Sequence, residues 1–97
     1  MSTNQTNEPI LIEKEEVEKL HFPADSVIRT MSEKEIVSKL QDAMALGNLH
    51  HSKIKIIFAD TEGIKAVETT VWTADDAYVT LKKGVAIPIR RILEVRL

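Results

Sequence analysis

The chain has 97 residues, of which 43% are hydrophobic, and a formal net charge of −2; this is enough for one core and too little for a cleft between two lobes. It contains no cysteine, which excludes thiol catalysis, disulfides and thiolate metal sites and fits a reducing compartment. No segment approaches the roughly 20 apolar residues of a membrane-spanning helix, and the polar start lacks the parts of a signal peptide. These features predict a single cytoplasmic domain.

Charge is distributed unevenly along the chain. Residues 1–48 contain nine acidic and five basic side chains, whereas residues 49–97 contain six acidic and eight basic ones. The surplus of bases in the second half permits contact with nucleic acid, although nucleic-acid binders usually concentrate positive charge on one face.

The first third of the chain has the weakest structural signals. Residues 1–8 are polar and are predicted to form a flexible tail, with a single domain over residues 9–97. An apolar run at 9–12 precedes a charged stretch at 13–20, which fits either a short exposed helix or a solvated connection. Pro23 ends any helix there. The fold of residues 9–31 therefore stays open.

A helix is predicted at about residues 33–46. Ser32 and Glu35 have the spacing of a capping box, in which each side chain binds a backbone amide of the first turn. Gly47 and Asn48 are expected to end the helix. The apolar positions fall on one stripe, which either covers the open end of a barrel or binds a partner; they are Ile36, Val37, Leu40, Ala43 and Met44.

From Lys53 onward the apolar residues alternate with a period of two, which is typical of strands. The predicted strands lie at residues 54–58, 64–73, 78–81, 85–87 and 93–97, with single turns at 82–84 and 89–92. The long second strand can bend to serve two faces of a barrel. We therefore predict an α+β protein in which an N-terminal helical segment precedes a five-stranded, strongly bent antiparallel SH3 or Sm-like small barrel at residues 53–97. Its interior is predicted to contain Ile54, Ile56, Phe58, Val67, Ile87 and Val95.

No combination of residues indicates catalysis. The sequence shows no arrangement of nucleophile, base and orienting group. Adjacent side chains on an extended chain point apart, so His50 and His51 are poorly placed to chelate one metal. The three glycines lie singly and form no phosphate loop. We expect a non-enzymatic protein without metal or cofactor.

Aromatic and basic residues in the second half are the candidates for binding. Trp72 and Tyr78 flank a predicted turn, where they could stack on bases or belong to the core or rim of the barrel. The basic side chains could contact phosphates or form a solvated edge that prevents aggregation. They are Lys53, Lys55, Lys82, Lys83, Arg90, Arg91 and Arg96.

Several short motifs are similar to those of Sm-like small barrels. These motifs are Leu40-Gln41-Asp42, Gly63-Ile64-Lys65, Val79-Thr80-Leu81-Lys82, and Ile92 with Val95. Residues 40–97 thereby resemble the bacterial RNA chaperones of the Hfq family, and the barrel also resembles the Rho-binding antiterminators of the Rof type. The resemblance implies binding of RNA or of a protein, through Gln41, Tyr78 and Arg90. The chain departs from the Hfq pattern at 87–91, where Ile-Pro-Ile-Arg-Arg replaces a run containing Tyr-Lys-His.

Together these features predict a binding module that regulates RNA metabolism or transcription through a basic barrel surface. The alternatives are a protein-interaction module resembling a Rho-binding antiterminator and an accessory subunit without nucleic-acid binding. A ring formed through open sheet edges and a monomer are both compatible with the sequence. The predicted RNA or partner contacts are Gln41, Lys53, Lys55, Trp72, Tyr78, Lys82, Lys83, Arg90 and Arg91.

Overall fold

The computed structural model describes residues 9–29, 31–50 and 53–96. Two helices and seven strands are present in this part of the chain, so the predicted α+β class is confirmed. The helices are α1 (Lys14–Val17) and α2 (Glu33–His50). The strands are β1 (Ile10–Ile12), β2 (Ile54–Ala59), β3 (Ile64–Thr69), β4 (Val71–Ala74), β5 (Tyr78–Leu81), β6 (Ala86–Pro88) and β7 (Ile92–Arg96).

The strands form two sheets. The larger sheet has the order β1-β3-β2-β7 and the smaller one has the order β4-β5-β6. The pairing of β2 is antiparallel with both β3 and β7, so the first and last strands of the predicted barrel are neighbours. The ladders formed by the described residues leave the two sheets separate, and closure into a barrel therefore stays a prediction.

The five predicted strands correspond to six strands within residues 53–96. The expected long run at 64–73 divides at Thr70 into β3 and β4, which belong to different sheets. The carbonyl oxygen of Thr70 accepts a hydrogen bond from the amide of Lys82 over 3.1 Å. At the position of the predicted bend, the chain therefore passes from the larger sheet to the smaller one. The predicted turns at 82–84 and 89–92 are confirmed as 3-10 turns at Lys82–Gly84 and Ile89–Arg91.

The core lies between α2 and the inner faces of both sheets. Ile36 and Leu40 of α2 are fully buried in it, and Met44 packs against it. This confirms that the apolar stripe of the helix covers the strands. All six predicted interior residues are also buried in this core, namely Ile54, Ile56, Phe58, Val67, Ile87 and Val95.

The start of α2 has the predicted capping box. The amide of Glu35 donates to the Ser32 Oγ over 3.1 Å, and the amide of Ser32 donates to the Glu35 Oε1 over 3.1 Å. The predicted end of the helix is wrong, because the helix runs through Gly47 and Asn48 to His50. Glycine and asparagine favour a helix end but do not impose one where the backbone hydrogen bonds continue.

Residues 9–29 wrap around the strands. The short strand β1 pairs in parallel with β3, with Leu11 opposite Ala66. α1 follows directly, and its Val17 is buried in the core. We call residues 21–29 the N-terminal arm; its Phe22 packs against Phe58 with ring centroids 5.9 Å apart. Residues 9–29, whose fold the sequence did not predict, thus add a strand, a short helix and the N-terminal arm to the domain.

Some predictions fall outside the described residues. These concern the flexible tail at 1–8, His51, and the side chain of His50. Neither of the two described helices has the length and apolar character needed to cross a membrane.

Candidate binding surface

Trp72 and Tyr78 lie exposed on the three-stranded sheet. Trp72 is 55% exposed and Tyr78 is 46% exposed. The side chains of Val79 and Leu81 enter the core, so the alternation along β5 places Tyr78 on the outer face. Trp72 occupies the irregularity between Val71 and Thr73 in the pairing of β4 with β5. A bulge of this kind redirects a side chain and leaves it unpaired.

Asp75 holds the turn that joins these two aromatic residues. Its Oδ1 accepts hydrogen bonds from the amides of Ala77 and Tyr78, each over 2.8 Å. The hydrogen bonds from the amides of Tyr78 and Ala77 lower the pKa of Asp75 below its ordinary value. The turn is therefore fixed by one carboxylate, which also sets the starting point of β5.

Lys82 and Lys83 follow β5 immediately and are exposed. The hydrogen bond from the amide of Lys82 to Thr70 places the first lysine beside the start of β4, two residues from Trp72 along that strand. We call Trp72, Tyr78, Lys82 and Lys83 the aromatic–lysine face. Planar rings on a sheet, with cationic side chains in the turn that follows it, suit a ligand that has both flat groups and negative charge.

Lys83 has an unusual backbone conformation. Its φ is 73°, and it is the one non-glycine residue with a positive φ among those the structure describes. Gly84 follows with a φ of 82°. The left-handed region is unfavourable for lysine by about 1–2 kcal/mol. The Nζ of Lys83 lies 3.5 Å from Glu15 Oε2, with both side chains largely exposed.

Arg90 and Arg91 are directed to the N-terminal arm and away from this face. The Nε of Arg90 donates to the carbonyl oxygen of Pro23 over 3.2 Å. Arg91 is only 8% exposed, and its Nε and Nη1 donate to the carbonyl oxygens of Ala59 and Asp25 over 3.0 and 2.9 Å. Both guanidinium groups therefore hold the arm against the strands.

The remaining predicted residues lie on two other parts of the surface. Gln41 Nε2 donates to the carbonyl oxygen of Ala74 over 3.5 Å, beside a shallow groove of about 420 Å³ between α2 and the β4–β5 turn. Lys55 lies on β2 between Glu68 and Arg96. Lys53 is exposed just before that strand. The structure thus places four of the nine predicted residues within β4, β5 and the turn that follows β5.

An ion pair at the β2–β3 turn was missed from the sequence. Asp60 is 5% exposed, and its Oδ2 lies 2.7 Å from the Nζ of Lys65. Its Oδ1 accepts hydrogen bonds from the amides of Glu62 and Gly63, each over 3.0 Å. Burial by itself would raise the pKa of Asp60, but the hydrogen bonds from Lys65 and the two amides outweigh it and hold the pKa below its ordinary value. The sequence predicted a turn from the spacing of Asp60 and Gly63, but that spacing does not show that Lys65 pairs with Asp60.

No metal site was expected, and the described residues contain no cluster of three or more histidine, aspartate or glutamate side chains that could hold an ion.

No protein-family model, curated protein or solved structure matches the chain. The surface geometry is therefore the basis for assigning a function.

Proposed function

We propose that the protein is a non-enzymatic binding module that contacts single-stranded RNA through the aromatic–lysine face, as a regulator of RNA metabolism or transcription in the cytoplasm. In this proposal residues 53–97 form a bent small barrel of the Sm-like type. The pairing of β2 with both β3 and β7 supports the barrel, because a closed barrel needs its first and last strands to be neighbours.

The observation that supports RNA most directly is the exposure of Trp72, two residues along the chain from the Thr70 carbonyl that accepts a hydrogen bond from the Lys82 amide. Stacking of a base on an aromatic ring contributes about 1–3 kcal/mol, and it tolerates any base because every base has a planar face. Tyr78 offers a second ring on the neighbouring strand. Lys82 and Lys83 supply positive charge for the phosphates that link the stacked nucleotides.

The backbone of Lys83 supports the same proposal. A long cationic side chain occupies a position where glycine would fold with less strain. Residues held in unfavourable conformations concentrate at functional sites, where the surrounding structure compensates for the strain. We take Lys83 as a phosphate contact on this ground.

Fluorescence gives a direct test, because Trp72 is the only tryptophan in the chain. Titration with a 12-nucleotide single-stranded RNA should quench its emission, and added salt should weaken the binding. The double variant Lys82→Glu, Lys83→Glu should weaken binding at least tenfold and flatten the salt dependence, since each lost phosphate contact changes the slope by about 0.7. Circular dichroism verifies that the variant is folded.

The matched control is Lys19→Glu, Lys34→Glu, which makes the same charge change at exposed positions outside the face. It should bind RNA within about twofold of the unchanged protein. Unchanged fluorescence at high RNA concentration would contradict the proposal, as would equal losses in the two double variants, because a general charge effect would then explain the binding.

A protein partner is the second candidate function. It is favoured by the engagement of Arg90 and Arg91 with the arm, because this removes two of the cations expected to contact phosphate. A tagged protein should then retain a partner from native lysate after nuclease treatment, and Trp72→Ala should release that partner. Retention that depends on intact nucleic acid would instead support the RNA proposal, whereas an accessory subunit without nucleic-acid binding would keep its partner in the Trp72→Ala variant.

A further inference from the structure

Three charged side chains meet where α1 approaches the turn after β5. The Oε2 of Glu15 lies 3.7 Å from the Nζ of Lys14 and 3.5 Å from the Nζ of Lys83. Glu15 and Lys83 are 68 residues apart along the chain. One carboxylate oxygen is thus shared by two ammonium groups that belong to distant segments.

The packing of α1 fixes where Glu15 and Lys14 lie. β1 directly precedes the helix and pairs with β3, and Val17 at the end of the helix is buried in the core. The amide of Glu13 donates to the Oε2 of Glu16 over 3.2 Å, which closes the first turn. The fold of the N-terminal segment therefore brings these two charges to Lys83.

The contact between Glu15 and Lys83 can be exchanged for another anion at little cost. Their side chains are 55% and 64% exposed, and ion pairs between exposed side chains contribute little to stability because water screens them. A phosphate group offers negatively charged oxygens that accept hydrogen bonds from ammonium groups as a carboxylate does. A phosphate oxygen in the place of Glu15 Oε2 would therefore contact both Lys14 and Lys83.

We propose that Lys14 and Lys83 form a phosphate-binding pair and that Glu15 occupies this pair in the free protein as an intramolecular competitor. The inference rests on the proposed binding of RNA by the aromatic–lysine face and adds two residues to it. Lys14 is a phosphate contact from the N-terminal segment. Glu15 lowers the affinity, because a phosphate must displace its carboxylate before it engages both lysines.

Glu15→Gln tests the competition in the full chain, by titration of Trp72 fluorescence with the 12-nucleotide RNA at low salt. The change frees both lysines, so the affinity should rise about threefold, in keeping with the small contribution of an exposed ion pair. Glu18→Gln is the matched control, since it removes the same charge from an exposed position just after α1. Glu18 forms no ion pair with either lysine, so the affinity should stay within about 1.5-fold because salt screens its charge.

A variant without the two lysines shows whether Glu15 acts through them. When Glu15→Gln is added to Lys14→Gln, Lys83→Gln, the affinity should stay within about 1.5-fold, because the carboxylate then has no ammonium group to occupy. Lys14→Gln by itself should weaken binding about threefold and reduce the salt slope by about 0.7. Lys19→Gln removes a charge from an exposed position of the same segment and should bind within about twofold, since it loses no phosphate contact.

The outcomes separate this inference from the proposed function. If the unchanged protein binds RNA and Glu15→Gln binds it equally well, the inference is overturned and the proposed function stands. An equal rise in Glu18→Gln, or in the variant without the two lysines, would also overturn the inference, because net charge would then explain the effect. Absence of RNA binding by both the unchanged protein and Glu15→Gln would overturn the two together. Circular dichroism verifies that each variant is folded.

Discussion

The Nε of Arg91 donates a hydrogen bond to the carbonyl oxygen of Ala59 over 3.0 Å, which ties the turn before β7 to the end of β2. The same guanidinium donates to the carbonyl oxygen of Asp25 in the N-terminal arm. Because a hydrogen bond from a charged group contributes about 1.5–3 kcal/mol, Arg91→Met should lower the free energy of unfolding by about 2–4 kcal/mol. Urea denaturation followed by circular dichroism measures the change.

Arg96→Met is the matched control for this substitution. Arg96 is exposed and pairs only with Glu94 of its own strand among the described residues, and exposed ion pairs contribute little to stability. The unfolding midpoint should stay unchanged. An equally small effect of Arg91→Met would show that the arm is held by other contacts, such as that of Phe22 with Phe58.

The ion pair of Asp60 with Lys65 should make stability fall in acid. Because folding lowers the pKa of Asp60 below its ordinary value of 3.8, the folded state gains stability from the charged carboxylate above that pH. The gain is lost as the pH falls through the folded-state pKa. Asp60→Asn should therefore reduce stability at pH 7 and flatten its decline below about pH 4. Urea denaturation at a series of pH values measures both effects.

Asp42→Asn provides the comparison for this pH series. Asp42 lies exposed on α2, so its replacement should leave the acid decline as steep as in the unchanged protein. The Asp60 assignment would be refuted by an Asp60→Asn variant with the same pH slope as the unchanged protein.

Lys83→Gly should separate stability from binding. Glycine adopts the positive φ of this position without steric penalty, so the variant should be more stable by about 1 kcal/mol. It also loses a cation of the aromatic–lysine face, so its affinity for RNA should fall about threefold to tenfold. Lys82→Gly is the control, since it has the same loss of charge without relief of strain. A loss of stability in Lys83→Gly would indicate that the side chain itself supports the turn.

Ser32→Ala should destabilise the domain through the start of α2. The substitution removes the Oγ that accepts the amide hydrogen bond of Glu35, and loss of such a cap lowers stability by about 1 kcal/mol. Ser38→Ala, at an exposed position inside the same helix, should be neutral or slightly stabilising because alanine is the better helix former. Thermal unfolding of the two variants side by side measures the difference.

Local patterns predicted much of this fold because their physical causes are local. The capping box of Ser32 and Glu35 depends on residues three apart, and the alternation at Ile54, Ile56 and Phe58 shows directly which side chains share a face. β1 was not predicted as a strand, since three residues are too few to show a period. The continuation of α2 past Gly47 was missed because residue preference sets a tendency that neighbouring hydrogen bonds can override.

The candidate surface was predictable only in part, because only some of its residues lie close together along the chain. Trp72, Tyr78, Lys82 and Lys83 lie within one hairpin and its following turn, so sequence proximity already placed them near one another. Lys53 and Lys55 belong to another sheet region, and the roles of Arg90 and Arg91 depend on the arm. A basic residue in a sequence shows its charge but not whether its donors face water or backbone carbonyls.

The order of elements, the apolar interior and the absence of cysteine chemistry were determined by the sequence itself. Only the tertiary structure decided that β1 joins the larger sheet and that Arg91 turns inward. The physical reason is distance along the chain: the carbonyls that Arg91 binds are 32 and 66 residues away. Such partners are chosen by the packing of whole elements, which no local periodicity encodes.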